Sequence, residues 1–179
     1  MKRILIIHAS ARVNGNTAYL TKVAKEAAEA AGNEVTVIEA TKLKIQPCRD
    51  CKTCFKTGRP CTFNDDFDDI VAPELERSDA IVFVEPMYWF EAPAAMRLIV
   101  DKFYAYETTK HPLPIKTCAL IATRAGDLDL DGIVIPYEHT VKLMGWTNVG
   151  TVTQGLCINP GDVEKTDAPA RVRELMGKL

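Results

Sequence analysis

Three stretches of the chain are apolar without interruption: Ile4-Leu5-Ile6-Ile7, Ala80-Ile81-Val82-Phe83-Val84 and Cys118-Ala119-Leu120-Ile121-Ala122. Such runs predict strands covered on both faces, as in a parallel sheet. Glu34-Val35-Thr36-Val37-Ile38-Glu39 alternates instead, and Thr147 to Val152 supplies a fifth strand pattern. Between the strands the period lengthens to that of helices. An alanine-rich helical pattern runs from Thr17 to Ala31 and is stopped by Gly32-Asn33. A second helix is expected from Asp65-Asp66 to Arg77, with the two carboxylates capping it and complementing its dipole. Pro86 is expected to stop the third strand, and Pro93 to start a helix carrying Met96, Ile99, Val100 and Phe103 on its apolar face. The remaining helices are expected over Leu130 to Met144, ended by Gly145, and over Asp162 to Lys178. Regular alternation of strand and helix implies an α/β fold, a doubly wound parallel sheet with helices on both faces. Right-handed crossovers favour the strand order 2-1-3-4-5 in a single domain spanning 1–179.

In that order the chain reverses direction between strands 1 and 3, and sheets of this kind bind ligands at such a switch point. The turn after strand 1, Ser10-Ala11-Arg12-Val13-Asn14-Gly15-Asn16-Thr17, opens directly into a helix. Its unpaired backbone N–H groups and the positive end of the helix dipole suit an anion. Ser10, Asn16 and Thr17 add donors, Arg12 a charge, and Gly15 close backbone approach; an ordinary helix-capping connection would use the same residues. Neither a Walker spacing nor G-x-G-x-x-G is present, so ATP and dinucleotide fingerprints are unsupported. Beside this turn the order places Pro86-Met87-Tyr88-Trp89-Phe90, an aromatic run that suits a flat ring and equally suits core packing or an oligomer contact. Thr123-Arg124-Ala125-Gly126-Asp127 follows strand 4. A ligand with a phosphate and a flat ring answers both loops, and flavin mononucleotide (FMN) fits that description.

The 179 residues are 47% apolar, enough for one sizeable core, and the formal net charge is −2 with Lys and Arg scattered. That excludes a basic footprint for nucleic acid and a polybasic membrane patch. No apolar run approaches a membrane span and no secretory progression opens the chain, so a cytoplasmic protein is expected. The six cysteines change the picture, because four of them, Cys48, Cys51, Cys54 and Cys61, crowd into a long connection over about residues 41–64. Such connections are usually functional. Clustering without a secretory signal favours metal or redox chemistry over disulfides. Iron–sulfur, zinc and free redox-active thiols all remain open on spacing alone. Pro47, Gly58 and Pro60 allow sharp turns, and Lys52, Lys56 and Arg59 would offset negative charge there. Cys118 lies in a core strand pattern, Cys157 is uninformative, and His8, His111 and His139 are too scattered to form a metal set.

These residues together resemble the NADPH-dependent FMN reductase family of flavodoxin-like proteins, over nearly the whole chain. Ser10-Ala11-Arg12-x-x-Gly15-Asn16-Thr17 is similar to the family's phosphate loop, and Pro86-x-Tyr88-Trp89 to the loop packing along the isoalloxazine, with Met96-Arg97 and Asp101-Lys102 on the next helix. Pro47-Cys48-x-x-Cys51-x-x-Cys54 with Cys61 and Asp65-Asp66 resembles the iron–sulfur flavoprotein branch, in which four close cysteines hold a [4Fe–4S] cluster. The resemblance implies FMN bound by Ser10, Arg12, Asn14, Gly15, Asn16, Thr17, Pro86, Met87, Tyr88, Trp89, Phe90, Thr123, Arg124 and Gly126. It also implies NAD(P)H as co-substrate and a homodimer or homotetramer. Electrons would pass to a quinone, a flavin, a metal acceptor or a redox protein; an electron carrier without nicotinamide is the alternative. The chain departs from the family pattern at Glu85, where a small residue is frequent, at Phe90, where glycine is frequent, and at Arg124-Ala125-Gly126, where paired small residues are usual.

Overall fold

The computed structural model describes residues 1–57, 60–109 and 111–179; Gly58 and Arg59 of the cysteine-rich connection therefore lie outside the described residues. Strand β1 (Arg3–His8) pairs in parallel with β2 (Glu34–Glu39) on one side and β3 (Ala80–Pro86) on the other. Beyond β3 follow β4 (Thr117–Thr123) and β5 (Thr147–Gln154), all parallel, giving the order β2-β1-β3-β4-β5. This is the expected flavodoxin-like arrangement.

Alternation along each buried strand divides the core into two halves. Ile4, Ile6, Val82 and Val84 face α1 (Asn16–Ala30) and α7 (Ala168–Met176), meeting Leu20, Val23, Val172 and Leu175. Leu5, Ile7, Ile81 and Phe83 face the opposite layer. That layer holds α3 (Ala72–Arg77), α4 (Ala94–Val100), α5 (Phe103–Thr108) and α6 (Asp131–Met144), with Leu75, Ile99, Phe103 and Ile133 turned inward. Each fully buried Ile, Leu or Phe contributes roughly 1.5–3 kcal/mol, so the continuous apolar runs hold the two layers to the sheet. No helix of the described residues is long and apolar enough to cross a membrane.

β3 ends at Pro86, the last paired residue, opposite Thr123, and the Met87 N–H donates once more to the Thr123 carbonyl at 2.7 Å. Three expectations about elements need correction. The helix expected from Asp65 to Arg77 begins as a π turn over Phe67–Val71 before α3. Pro73, at the start of α3, has no N–H to donate back by four residues, and the Ala72 N–H donates to Phe67 O in the wider turn. The helix after Pro93 breaks at Asp101-Lys102 into α4 and α5. The last helix is a 3-10 turn, Asp162–Lys165, and then α7, whose start is set by Pro169 and by Thr166 Oγ1 accepting the Ala168 N–H at 3.2 Å. Within the cysteine-rich connection lie a 3-10 turn, Ala40–Lys42, and a short helix, α2 (Thr53–Thr57).

Candidate functional site

At the carboxyl edge of the sheet the ends of β1, β3 and β4 enclose a cavity of about 200 Å³. Ser10, Arg12, Gly15, Asn16 and Thr17 form one wall, Pro86, Met87 and Tyr88 a second, and Thr123, Arg124 and Ala125 a third, with Cys157 beside them. Among the described residues this lining contains two guanidinium groups and no carboxylate.

The turn after β1 is built to present donors. Its Gly15 N–H donates to Arg12 O at 3.0 Å, and a Cβ on Gly15 would stand 2.9 Å from the Arg12 Cβ, so the tight crossing requires glycine. Gly15 precedes α1 without a side-chain cap. The first-turn N–H groups of Asn16, Thr17 and Ala18 thus have no intrahelical acceptor and point out of the helix start. Ser10 Oγ accepts the Arg12 N–H at 3.2 Å and retains its own hydrogen for a ligand. Thr17 Oγ1 and Thr123 Oγ1 share a hydrogen bond of 2.7 Å, which ties the first loop to the third. The Asn16 side chain is committed elsewhere, donating to Asn159 O at 2.9 Å and accepting from the Val163 N–H at 3.1 Å, so what it offers the cavity is its backbone. Below the turn, Thr21 Oγ1 donates to Thr17 O at 3.0 Å and so accepts from His8 Nδ1 at 2.9 Å. Burial pushes the His8 imidazole below its ordinary pKa, which keeps it a neutral buried support rather than a charge under the site.

The aromatic loop is a two-residue hairpin. Tyr88 and Glu91 exchange both backbone hydrogen bonds, at 3.0 and 3.2 Å, and Trp89 and Phe90 between them have φ of 49° and 69°. Consecutive positive φ values make a type I′ turn, which favours Asn-Gly and strains aromatic residues. Gly132, in the first turn of α6, makes room: a Cβ there would lie 1.8 Å from the Phe90 carbonyl oxygen. Tyr88 reaches the cavity, whereas Trp89, 91% exposed, and Phe90 do not line it. Asn14 and Gly126 also lie outside the lining. Ala125 and Cys157 are lining residues that sequence reasoning missed. The loop leaving β5 is a strand end like the other three, and that position was the available signal for Cys157.

The four clustered cysteines line a second, smaller cavity together, about 30 Å³, against Lys102, Tyr104 and Ala105. Cys48 and Cys51 are exposed, Cys54 and Cys61 half-buried, and all four are free thiols. Thr53 donates to Cys51 Sγ at 3.3 Å and holds that thiol below its ordinary pKa, while burial pushes Cys54 up. Among the described residues no three His, Cys, Asp or Glu side chains close around a single metal position. All four thiols line that one cavity, and four thiolates are the donor set that both iron–sulfur and zinc sites use.

Asp65 and Asp66 close the base of this loop and are more than helix caps. Asp66 Oδ2 accepts the Lys44 N–H at 2.6 Å and Asp65 Oδ2 the Gln46 N–H at 2.9 Å, so chain entry and exit lie side by side. Asp65 also accepts the Phe67 N–H at 3.0 Å and pairs with Lys102 Nζ at 2.9 and 3.1 Å. The Lys102 and Asp65 side chains are 1% and 5% exposed. Burial raises the Asp65 carboxyl, but the ammonium and the two N–H donors outweigh it and leave the pKa lowered.

Comparison with known proteins agrees with this geometry. The chain is 28% identical over 167 residues to an iron-sulfur flavoprotein of Archaeoglobus fulgidus, covering 93% of this chain and 74% of that protein. It is 28% identical over 100 residues to an iron-sulfur flavoprotein of Methanocaldococcus jannaschii, spanning 56% of this chain and 51% of that protein. The solved structure of an NAD(P)H:quinone oxidoreductase from Methanothermobacter marburgensis superposes with a TM-score of 0.75 over 98% of this chain and 95% of that one, at 16% identity, a likeness of fold. Residues 2–156 match the family of NADPH-dependent FMN reductases, and with the phosphate-type turn, the hairpin and the sheet order in place, the chain belongs to that family.

Proposed function

We propose that the chain is an FMN-dependent NAD(P)H oxidoreductase, with FMN in the cavity at the ends of β1, β3 and β4. The observation that carries this is the convergence of three strand-end loops on one cavity with unpaired donors, two guanidiniums and no carboxylate among the described lining residues. Ser10, Arg12, Thr17 and the first N–H groups of α1 hold the phosphate. Pro86, Met87 and Tyr88, with Thr123 to Ala125, would hold the ring. FMN supplies the hydride and electron chemistry when bound. The protein's own part is to bind, orient and exclude water, which needs no acid or base from the lining. A quinone is the favoured acceptor class, supported by the fold shared with the quinone oxidoreductase. A homodimer or homotetramer in the cytoplasm accords with the family.

We further propose that Cys48, Cys51, Cys54 and Cys61 hold a [4Fe–4S] cluster, supported by their common cavity and by the names of the relatives. The absorption spectrum of anaerobically prepared protein tests both parts. Flavin bands with quenched FMN fluorescence, and NAD(P)H oxidation on adding quinone, are expected together with broad cluster absorbance. No FMN binding at micromolar concentration overturns the first reading. Reconstitution with less than about one iron per chain overturns the second.

A further inference from the structure

The two guanidinium groups of the flavin cavity differ in kind. Arg12 belongs to the turn after β1 and is exposed. Arg124 leaves the end of β4, and its side chain is only 15% exposed. Its backbone continues the β4–β5 pairing: the N–H donates to Gln154 O and the carbonyl accepts the Cys157 N–H, both at 2.9 Å. The guanidinium lies against Gly155, where a Cβ would stand 3.1 Å from its central carbon and 3.2 Å from Nη2. The absence of a side chain at Gly155 thus leaves the arginine its place. Nη2 donates to Asp127 at 3.2 Å, but that carboxylate is 83% exposed and dissipates little of the charge. Nε is buried and has no acceptor among the described residues. A half-buried cation on a cavity wall, with its buried Nε–H unclaimed among the described residues, is a site prepared for negative charge.

This inference rests on FMN occupying the cavity. With the phosphate on the Ser10–Thr17 turn, the walls formed by Pro86–Tyr88 and Thr123–Ala125 are left to the ring system. Hydride uptake from a nicotinamide brings two electrons and one proton to the ring, and the nicotinamide departs as a cation, so the bound flavin gains one negative charge. We propose that Arg124 makes the cavity prefer reduced over oxidised FMN, its charge and free Nε–H opposing the negative charge the ring acquires. A neutral ring gains little from a guanidinium, whereas an anionic ring beside it gains more, so the residue acts on the difference between the two redox states.

The test compares Arg124→Gln, Arg124→Lys and Arg12→Gln with the parent protein, reading the affinity for oxidised FMN by fluorescence and the midpoint potential of bound FMN by equilibration with reference dyes. Arg124→Gln is expected to lower the affinity for reduced FMN tenfold or more relative to oxidised FMN, which lowers the two-electron midpoint by about 30 mV or more. Arg124→Lys, which keeps the charge and loses the fork, is expected to fall between, and it also serves if the Gln variant does not fold. Arg12→Gln is expected to weaken both redox states alike and leave the midpoint in place. Equal weakening of both states by Arg124→Gln would assign Arg124 to the phosphate and overturn the proposal, as would an unchanged midpoint in both Arg124 variants. A parent protein that binds no FMN would defeat the reading of the cavity itself, a result separate from these.

Discussion

Removing the ammonium of Lys102 offers the sharpest test of how the cysteine-rich loop is held. At 2.9 Å the pair attracts by about 6 kcal/mol at an effective dielectric of about 20, against which both groups lose their water. Lys102→Met keeps the length of the stem and leaves Asp65 buried with only the Gln46 and Phe67 N–H groups. Loss of one partner of a buried pair destabilises by about 3–5 kcal/mol, and these two surviving donors put the expectation near the lower end, about 3 kcal/mol. The sign with pH is determined. In the parent protein the Asp65 pKa is lowered, so its stabilising contribution is present above the ordinary carboxylate range and is lost as pH falls through the folded value. In Lys102→Met burial dominates, the Asp65 pKa rises, and protonation relieves the variant as pH falls. The gap in stability should therefore be widest near neutral pH and shrink toward about pH 4. Urea unfolding followed by circular dichroism at both pH values measures it, and Asp65→Asn in the Lys102→Met background should recover part of the loss. The thiols of Cys48 and Cys51 should also react faster with a disulfide reagent once the loop base is loosened. A loss below about 1 kcal/mol at neutral pH, or a gap independent of pH, would refute the account of this pair as the clamp of the loop.

Three further outcomes are expected. Replacing Ser10 and Thr17 together by Ala removes two hydrogen bonds to a charged group, roughly 1.5–3 kcal/mol each, and should lower FMN affinity tenfold or more in a fluorescence titration; unchanged affinity would place the phosphate elsewhere. Gly132→Ala puts a methyl group into the Phe90 carbonyl and should destabilise the protein by about 1–3 kcal/mol while shifting Trp89 emission, and a neutral effect on both would show that the hairpin does not lean on α6. Burial pushes the Glu85 carboxyl up to about 8, and its Oε2 has no hydrogen-bond partner among the described residues. The folded state therefore holds a proton that the unfolded state releases, and stability should fall as pH rises from about 5 to about 8; Glu85→Gln should flatten that slope, and a slope retained in the variant would assign it to other groups.

The sheet and its edge were legible in the sequence because their signals are local. Ile4-Leu5-Ile6-Ile7, Ala80 to Val84 and Cys118 to Ala122 are apolar on both faces, and a strand with that composition has a stable place only inside a parallel sheet. From the alternation of elements follow the order and hence the neighbours Ser10 to Thr17 and Pro86 to Tyr88. The hairpin was not legible as a turn, since Trp89-Phe90 carries none of the Asn or Gly chemistry of a type I′ turn. Its positive φ values are imposed by the Tyr88–Glu91 bonds, and the gap at Gly132 admits the Phe90 carbonyl more than forty residues away in the chain. In the same way Asp65 reads as a helix cap, because local sequence shows its first turn and not the Lys102 ammonium that packing brings beneath it. Asn16 reads as a ligand donor until α7's approach segment, Asn159 and Val163, takes both ends of its amide. Sequence by itself determined which segments are strands and helices and which strand ends carry polar and aromatic chemistry, since those follow from short-range periodicity. Only the tertiary structure decided which polar atoms remain free for a ligand, because each hydrogen-bonding group satisfies the partner nearest in space, and that partner is set by the whole fold.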